Sequence, residues 1–367
     1  MGSTSRVFAS LLGLAALDAA GYSVIAPVGP AIAAETGAGP AAIGALVGVF
    51  AAGQAIGFWA GGVLFSRRGA RPALVLSLAL VALGCLGFVM LDGLSAWFPA
   101  RLLMGFGSGG LWIAVVLAVI ERFPGQEYRR LSAILGAYAV GAVAGPAFGA
   151  LDGVHAPFAA FLALTLAAVA VAVGLSPLAE RTASPAARAT LRSSGFAFAS
   201  GGILAVAVGY GTLEGPLTLH LGERLAQGQL AALYVGAALV TGAASVAAGS
   251  LTPRPLVSAA AILIAAGIGL AGASDAVAIW LPAIAIAAVG IGLGGAGALG
   301  VLLEAVGTER IVTAMIVWSQ VWSLGYLAGP VVGGLVAEVG GYAAIGLVPG
   351  AAALAVLASS RRTAAAA

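Results

Sequence analysis

Two carboxylates lie where the chain is otherwise apolar: Asp18 in ALDAAGYSVIAPVGP and Glu214 in YGTLEGPLTLHL. An ionised carboxylate deep in a membrane costs several kcal/mol unless it is solvated, paired or protonated. Such residues act as proton sites or as counter-charges for a cationic substrate. Each also stands just before helix breakers, Pro27 and Pro30 after Asp18 and Gly215-Pro216 after Glu214. A broken helix frees backbone polar groups, which is tolerated in a membrane only where they line a cavity or touch protein. Tyr22, one turn beyond Asp18, falls on the same helix face and is expected to line the same cavity. Gln54, Trp112, Tyr138, Tyr210, Trp318, Gln320 and Trp322 are further substrate-binding candidates, being polar or aromatic groups within apolar runs. Arg101 opens ARLLMGFGSGGLW and admits two readings: an anchor snorkelling to water, or a counter-ion for a buried carboxylate.

Other features point to packing. Gly105, Gly107 and Gly110, and again Gly292, Gly294 and Gly297, spell a GxGxxG pattern. Neither has the strand–turn–helix context of a dinucleotide site, so both are read as close-packing helix faces. Cys85 is the single cysteine and reads as a small buried residue. His155 and His220 fall at span ends and are expected at the interface or in loops. Glu121 and Glu304 occupy matching helix ends and are expected to pair with Arg122 or Arg310. There is no HExxH, metal-ligand cluster, nucleophile elbow or phosphate-binding loop in a suitable context. The expectation is therefore a protein that is not an enzyme, with no catalytic residues, no metal and no cofactor.

The elements that position these residues follow from composition. The 367 residues are 61% hydrophobic and only 8% charged, with mean hydropathy +1.10. So little charge on so long a chain means that most of its surface meets lipid. Apolar runs of membrane-crossing length fall at 7–33, 40–65, 72–91, 95–120, 131–151, 157–178, 196–219, 228–250, 255–273, 277–303, 311–337 and 341–358. The fold class predicted is an all-α integral membrane protein of twelve transmembrane helices in two pseudo-symmetric six-helix bundles. The bundles span 1–178 and 196–367, joined by the polar linker 179–195.

All sixteen basic residues are arginine, and there is no lysine and no asparagine. Arg6, Arg67, Arg68, Arg71, Arg122, Arg129, Arg130, Arg181, Arg188, Arg192, Arg254, Arg310, Arg361 and Arg362 would share one side, leaving only Arg224 on the other. The positive-inside rule then places both termini in the cytoplasm, with the protein multi-pass in the cell inner membrane. The net charge of +3 carries no nucleic-acid argument, because position rather than total decides. The first apolar run is too long for a signal peptide, carries Asp18 and is read as uncleaved.

A repeated pattern ties the halves together. Gly141, Gly145, Pro146 and Gly149 in GAVAGPAFG return as Gly325, Gly329, Pro330 and Gly333 in GYLAGPVVG. Proline bends a helix and glycine lets backbones approach, so each copy suits a helix lying against another helix. Two copies at corresponding places suggest a duplicated transporter with a central interface.

With these residues assembled, the chain resembles the major facilitator superfamily over nearly its whole length. GGVLFSRRGARPAL, with Gly62, Arg67, Gly69 and Arg71, looks like the superfamily's signature between spans 2 and 3. Arg101 with Gly105 and Gly107 resembles the span-4 motif of its proton-linked drug exporters, and GAVAGPAFG the span-5 motif of its antiporters. Asp18 with Pro27 and Pro30, and Leu213 to Leu217, are similar to spans 1 and 7 of vesicular amine transporters. The resemblance implies a two-domain rocker with Asp18 and Glu214 facing a central cavity and Arg101 tuning coupling. It also implies a monomer that takes a small-molecule substrate and protons, using the proton gradient as its energy source. Ser66 stands where the loop signature usually has Asp, and Gly297 where the amine transporters carry another acid.

The function expected is proton-coupled efflux of hydrophobic, cationic or amine-bearing small molecules by alternating access. The alternatives are a uniporter or proton symporter importing a nutrient and, remotely, a non-transporting membrane receptor or enzyme.

Overall fold

Long apolar runs without a backbone partner elsewhere must satisfy their amides internally, and they do so as helices. The computed structural model describes residues 3–175, 193–306 and 311–365. Fourteen α-helices form among them: α1 Ser3–Ser23, α2 Gly29–Thr36, α3 Pro40–Arg68, α4 Ala70–Met90, α5 Leu94–Arg122, α6 Glu127–Phe148, α7 His155–Val173, α8 Ser194–Glu214, α9 Pro216–Gly222, α10 Gln227–Ala248, α11 Pro253–Gly272, α12 Val277–Val306, α13 Ile311–Gly340 and α14 Leu347–Ala365. Taken with α1–α2 and α8–α9 as broken single spans, they make twelve segments long and apolar enough to cross a membrane.

The boundaries differ from expectation in instructive places. Span 1 extends to Thr36 but is interrupted by a short 3-10 turn at Ala26–Val28, where Pro27 and Pro30 each withdraw a backbone donor. Span 6 ends at Val173, sooner than expected; span 12 runs from Tyr342 to Ser360, close to the expected 341–358, opening on a 3-10 turn at Tyr342–Ala344 before α14 begins at Leu347. The expected linker 179–195 is shorter at its end, because Ser193 caps α8 by accepting the Phe196 N–H at 3.1 Å. The rest of that linker, with Arg181, Arg188 and Arg192, lies outside the described residues, as does Arg310.

Buried apolar side chains gather into two clusters, one drawn mainly from α1–α7 and the other mainly from α8–α14. One end of the bundle carries Arg67, Arg68, Arg71, Arg122 and Arg254; the opposite end carries Glu35, Asp92, Asp152, Glu223, Asp275 and Glu338. Gly69 makes the tight α3–α4 turn at the arginine-rich end, with φ of 80° and its N–H donating to Phe65 O at 2.7 Å. That left-handed conformation favours glycine. Around it Gly62 is half-buried and Arg67 and Arg71 are exposed. Ser66 is exposed and donates to Val63 O on its own helix at 2.9 Å.

The two halves are joined from the middle of the bundle to its acid-bearing end. Along α3 and α13, a Cβ on Gly44 would strike Pro330 O, and one on Gly48 would lie 3.1 Å from Leu327 O, so backbone touches backbone there. At the extremity, Glu338 Oε2 accepts the Ala41 N–H at 3.1 Å, a carboxylate from α13 capping the first turn of α3. At the pseudo-equivalent place, Gln227 at the start of α10 donates to Leu151 O at 3.0 Å and Gly153 O at 2.9 Å. Its Oε1 also accepts the Gly153 N–H at 3.1 Å. Two polar fasteners therefore close the acid-bearing end, one on each side.

Glu338→Gln removes a charge–dipole contact of about 0.5–1 kcal/mol, and should raise the population open at that end about two- to fivefold. Gln227→Ala, which removes three hydrogen bonds, should shift it further in the same direction. Spin labels at the exposed Leu91 and Val277, one in each half, would read the change as a longer distance component.

Candidate functional site

The break in span 1 creates the first part of the site. α1 ends at Ser23, so its last carbonyls lose their intrahelical donors. Arg101 of α5 supplies replacements: Nη1 donates to Gly21 O at 3.1 Å and Nη2 to Tyr22 O at 2.8 Å. Its guanidinium lies 4.2 Å from the centroid of the Phe50 ring, and the residue is 0% exposed. Arg101 is therefore not a snorkelling anchor. Nor is it ion-paired: among the described residues no carboxylate comes within salt-bridge distance of it. A cation at a helix C-terminus meets the negative end of the helix dipole.

Span 7 breaks in the corresponding way. α8 ends at Glu214, Gly215 turns with φ −96° and ψ −105°, and Pro216 opens α9. The freed Leu213 O receives the Tyr234 hydroxyl at 2.6 Å. Thr218 Oγ1 donates at 2.6 Å to Ala26 O, the carbonyl that Pro30 deprives of its usual donor. The two broken helices, one from each half, thus meet, and span 7 supplies a donor to span 1.

Glu214 is 2% exposed, and its Oε2 accepts the Tyr326 hydroxyl at 2.6 Å. Tyr326 packs 4.3 Å, centroid to centroid, from Tyr22. Tyr22 accepts the Trp322 indole N–H at 2.9 Å, stands edge-on to Phe50 and neighbours Tyr210 at 6.2 Å. Tyr22, Tyr210, Trp322 and Glu214 are accordingly brought together where the halves meet.

Asp18 is 5% exposed but lines a different space. Its small cavity lies within the first half, among Leu78, Val81, Met104, Ser108 and Phe161, rather than in the seam between halves. The carboxylate sits against the Ser108 hydroxyl, while its Oδ2 is buried without a partner. Ser108 accepts from Gln54 Nε2 at 3.2 Å, and Gln54 Oε1 accepts from Ser323 Oγ of α13 at 3.0 Å. Polar contacts therefore run from Asp18 through Ser108 and Gln54 to the other half. Ser323 stands between Trp322 and Tyr326, so one stretch of α13 touches the surroundings of both carboxylates.

The remaining candidates fall variously. Trp112 and Tyr138 form an edge-on pair 5.2 Å apart, and Trp112 packs against the cores of both halves. Gln320 donates across the seam to Ala55 O at 3.1 Å, a fastening contact. Trp318 has a buried indole N–H without a partner. His155 is half-exposed beside Asp92 as expected, whereas His220 is buried, stacked on Tyr342 at 4.7 Å. The glycines of the Gly-Pro repeats serve mainly their own halves. Gly141, Gly145 and Gly149 press α6 onto Ala16, Ala20 and Pro27, while Gly325, Gly329 and Gly333 press α13 onto α8–α9. Pro330, against Gly44, and Leu327 and Val331, against Gly48, reach across. At Gly297 a Cβ would stand 3.0 Å from both Leu256 Cβ and Pro253 O, so a larger side chain there requires α11 to shift.

Sequence reasoning missed Ser108, Tyr234, Thr218, Ser323 and Tyr326. Tyr326 lies inside GYLAGPVVG and Ser108 inside the glycine-rich GFGSGG. A polar atom beside a predicted helix break or close-packed face was the available signal.

Arg101→Met should leave two buried carbonyls without donors, at about 1–3 kcal/mol each, and Arg101→Lys should cost less by retaining one charged donor. Thermal unfolding in detergent should rank wild type above Lys above Met. Equal Tm values would return Arg101 to the role of an interfacial anchor.

Comparison with known proteins agrees with this architecture. The family description "Major Facilitator Superfamily" matches residues 11–318. A bacterial homolog to the human lysosomal transporter Spinster, in an inward-facing and unoccupied conformation, superposes with a TM-score of 0.75 at 15% identity, covering 98% of this chain and 96% of that one. A D-xylose-proton symporter superposes with a TM-score of 0.74 at 16% identity, covering 96% of each chain. No curated protein matches the sequence. At such identities the structures speak for the fold alone, and the family match speaks for the whole: a cofactor-independent, multi-pass membrane transporter rather than an enzyme, this chain belongs to the Major Facilitator Superfamily.

Proposed function

We propose that this transporter is a proton-coupled antiporter that exports hydrophobic, cationic or amine-bearing small molecules by alternating access. The observation that carries the reading is the pair of buried carboxylates, each a few residues from a break in its span and each connected to the same stretch of α13. Neither has an arginine within ion-pair distance among the described residues. A carboxylate so placed is stable as the neutral acid or with a cation bound, and unstable bare. Proton and cationic substrate therefore exclude one another at the site, which is the requirement for exchange.

The arginine-rich end faces the cytoplasm in this reading, with both termini inside and the protein in the cell inner membrane. The joined acid-bearing end then corresponds to a state closed to the outside. The moving bodies are residues 1–178 and 196–367, and the transporter works as a monomer. Arg101 positions Tyr22 by holding the end of α1, and the aromatic group around Tyr22 and Glu214 receives the substrate. Gln54 carries the state of Asp18 to α13. Glu214 binds the cation directly, and Asp18 acts within its own half as the coupling site.

Proteoliposomes with an imposed pH gradient and a panel of lipophilic cations test this. Proton-driven cation exchange should appear in wild type and fall to background in Asp18→Asn and Glu214→Gln, each verified as folded. Exchange preserved in Asp18→Asn would move coupling to Glu214. Cotransport of proton and substrate in one direction would replace export by the symport reading.

A further inference from the structure

α9 is the outer piece of the broken span 7, and its two faces meet different halves of the protein. Thr218 and Gly222, four residues apart, share one face. Thr218 Oγ1 donates to Ala26 O at 2.6 Å, and a Cβ on Gly222 would strike Pro30, so this face rests on the first half. His220 lies between them in sequence and about half a turn round the helix, and the partners of its ring belong to the second half. Its Nε2 is 3.0 Å from Ser274 O in the connection between α11 and α12. The ring stacks on Tyr342 at 4.7 Å and stands edge-on to Trp280 at 5.3 Å. Trp280 Nε1 donates to the same Ser274 O at 2.6 Å, which fixes the connection against the imidazole.

A carbonyl oxygen only accepts, so the neutral ring carries its proton on Nε2 and leaves Nδ1 a bare acceptor. Nδ1 is buried and no donor reaches it. An unmet buried acceptor is costly, and a second proton removes the cost by turning Nδ1 into a donor. The acceptor for it is Glu223 Oε2, 3.8 Å away at the end of α9. Asp275 Oδ1, on the α11–α12 connection, lies 3.8 Å from Nε2. Both carboxylates are exposed, so a proton reaches the ring from water at the acid-bearing end. Tyr342, the other titratable group against the ring, offers its aromatic face to a cation. Arg224, next to Glu223 in the chain, is exposed. At 3.8 Å neither carboxylate is hydrogen-bonded to the ring, whereas a charge-assisted bond closes to about 2.8 Å. Glu223 closes within α9, but Asp275 and Ser274 O belong to another element, and tightening onto them draws α9 toward its own half.

We infer that His220 is a further proton site, on the acid-bearing side, whose charging tightens α9 onto the α11–α12 connection and loosens Thr218 and Gly222 from span 1, so that acid on that side favours opening there. The site is separate from Glu214, which lies across the Gly215-Pro216 break on α8. It rests on the proposed function only for which side of the membrane this end faces.

The test uses full-length protein in nanodiscs, spin-labelled through Leu91→Cys and Val339→Cys in a Cys85→Ala background. Both positions are exposed, one in each half at the acid-bearing end, and neither touches the His220 pocket. Lowering the pH from about 7.5 to about 5.5 crosses the range in which histidine changes charge. The longer distance component should then rise about threefold or more. His220→Gln keeps an amide donor for Ser274 O but cannot charge; it should hold the parent distances at the higher pH and lose the rise. Glu223→Gln and Asp275→Asn, at exposed residues, should each weaken it. A rise in folded His220→Gln equal to that of the parent overturns the proposal, as does a fall on acidification. Should His220→Gln fail to fold, an undiminished rise in the Glu223→Gln, Asp275→Asn double variant overturns it equally. Exchange is measured separately in proteoliposomes. A rise that depends on His220 without proton-driven exchange would leave this site standing and remove antiport; exchange with a rise indifferent to His220→Gln would do the reverse.

Discussion

A break or a proline in a membrane helix takes away backbone donors where no water can replace them. The site described above is organised around satisfying the carbonyls left over. Arg101 serves Gly21 and Tyr22, Thr218 serves Ala26, and Tyr234 serves Leu213. Ser23 reaches Ala142 O, the carbonyl freed by Pro146, at 3.4 Å. These donors come from other helices, so each break is also a crosslink. The functional residues lie close to the breaks because irregular backbone and polar side chains require the same dry, enclosed setting.

Glycine supplies the complementary constraint. Within each half the Gly-Pro repeat brings α6 onto α1 and α13 onto α8 at backbone distance, fixing each broken helix against one with an internal proline. Between halves, backbone meets backbone along α3 and α13, where Gly44 and Gly48 admit the α13 backbone, and the broken helices touch where Thr218 meets Ala26. The halves are thus internally tight and mutually joined most closely along α3 and α13, with hydrogen bonds at the breaks and at the acid-bearing end. This arrangement lets each bundle move as a body while the breaks inside it stay satisfied.

Much of this was legible in the sequence. Apolar run lengths gave twelve spans because lipid thickness sets helix length, and Pro27, Pro30 and Pro216 located the breaks because proline acts locally. Asp18 and Glu214 were conspicuous because charge is rare at that depth. What stayed hidden depended on helix rotation and on which half a face addresses. Arg101 sits near a predicted span end, and only the packing of α5 against α1 reveals that it is enclosed. Asp18 was expected in the seam and lies inside its own bundle, because period and position do not say toward which neighbour a helix turns. Ser108, Ser323 and Tyr326 carry small or common polar groups whose meaning appears only when their partners are in place. The Gly-Pro repeat reads from sequence as a helix-packing device with a central interface, whereas its glycines mostly face inward within each half.

The unequal seams have a mechanical consequence. α3 and α13 are in backbone contact, while α6 and α10 are packed less closely, with Gly136 and Gly242 facing open space. Relative motion of the halves therefore swings widest on the α6–α10 side, where Val140, Leu239 and Val246 are exposed to lipid. Closing or widening that gap changes the cross-sectional area the protein occupies in one leaflet. Lateral pressure in that leaflet therefore does work during the transition. Acyl-chain packing and headgroup size become thermodynamic variables of turnover, alongside any gradient across the membrane.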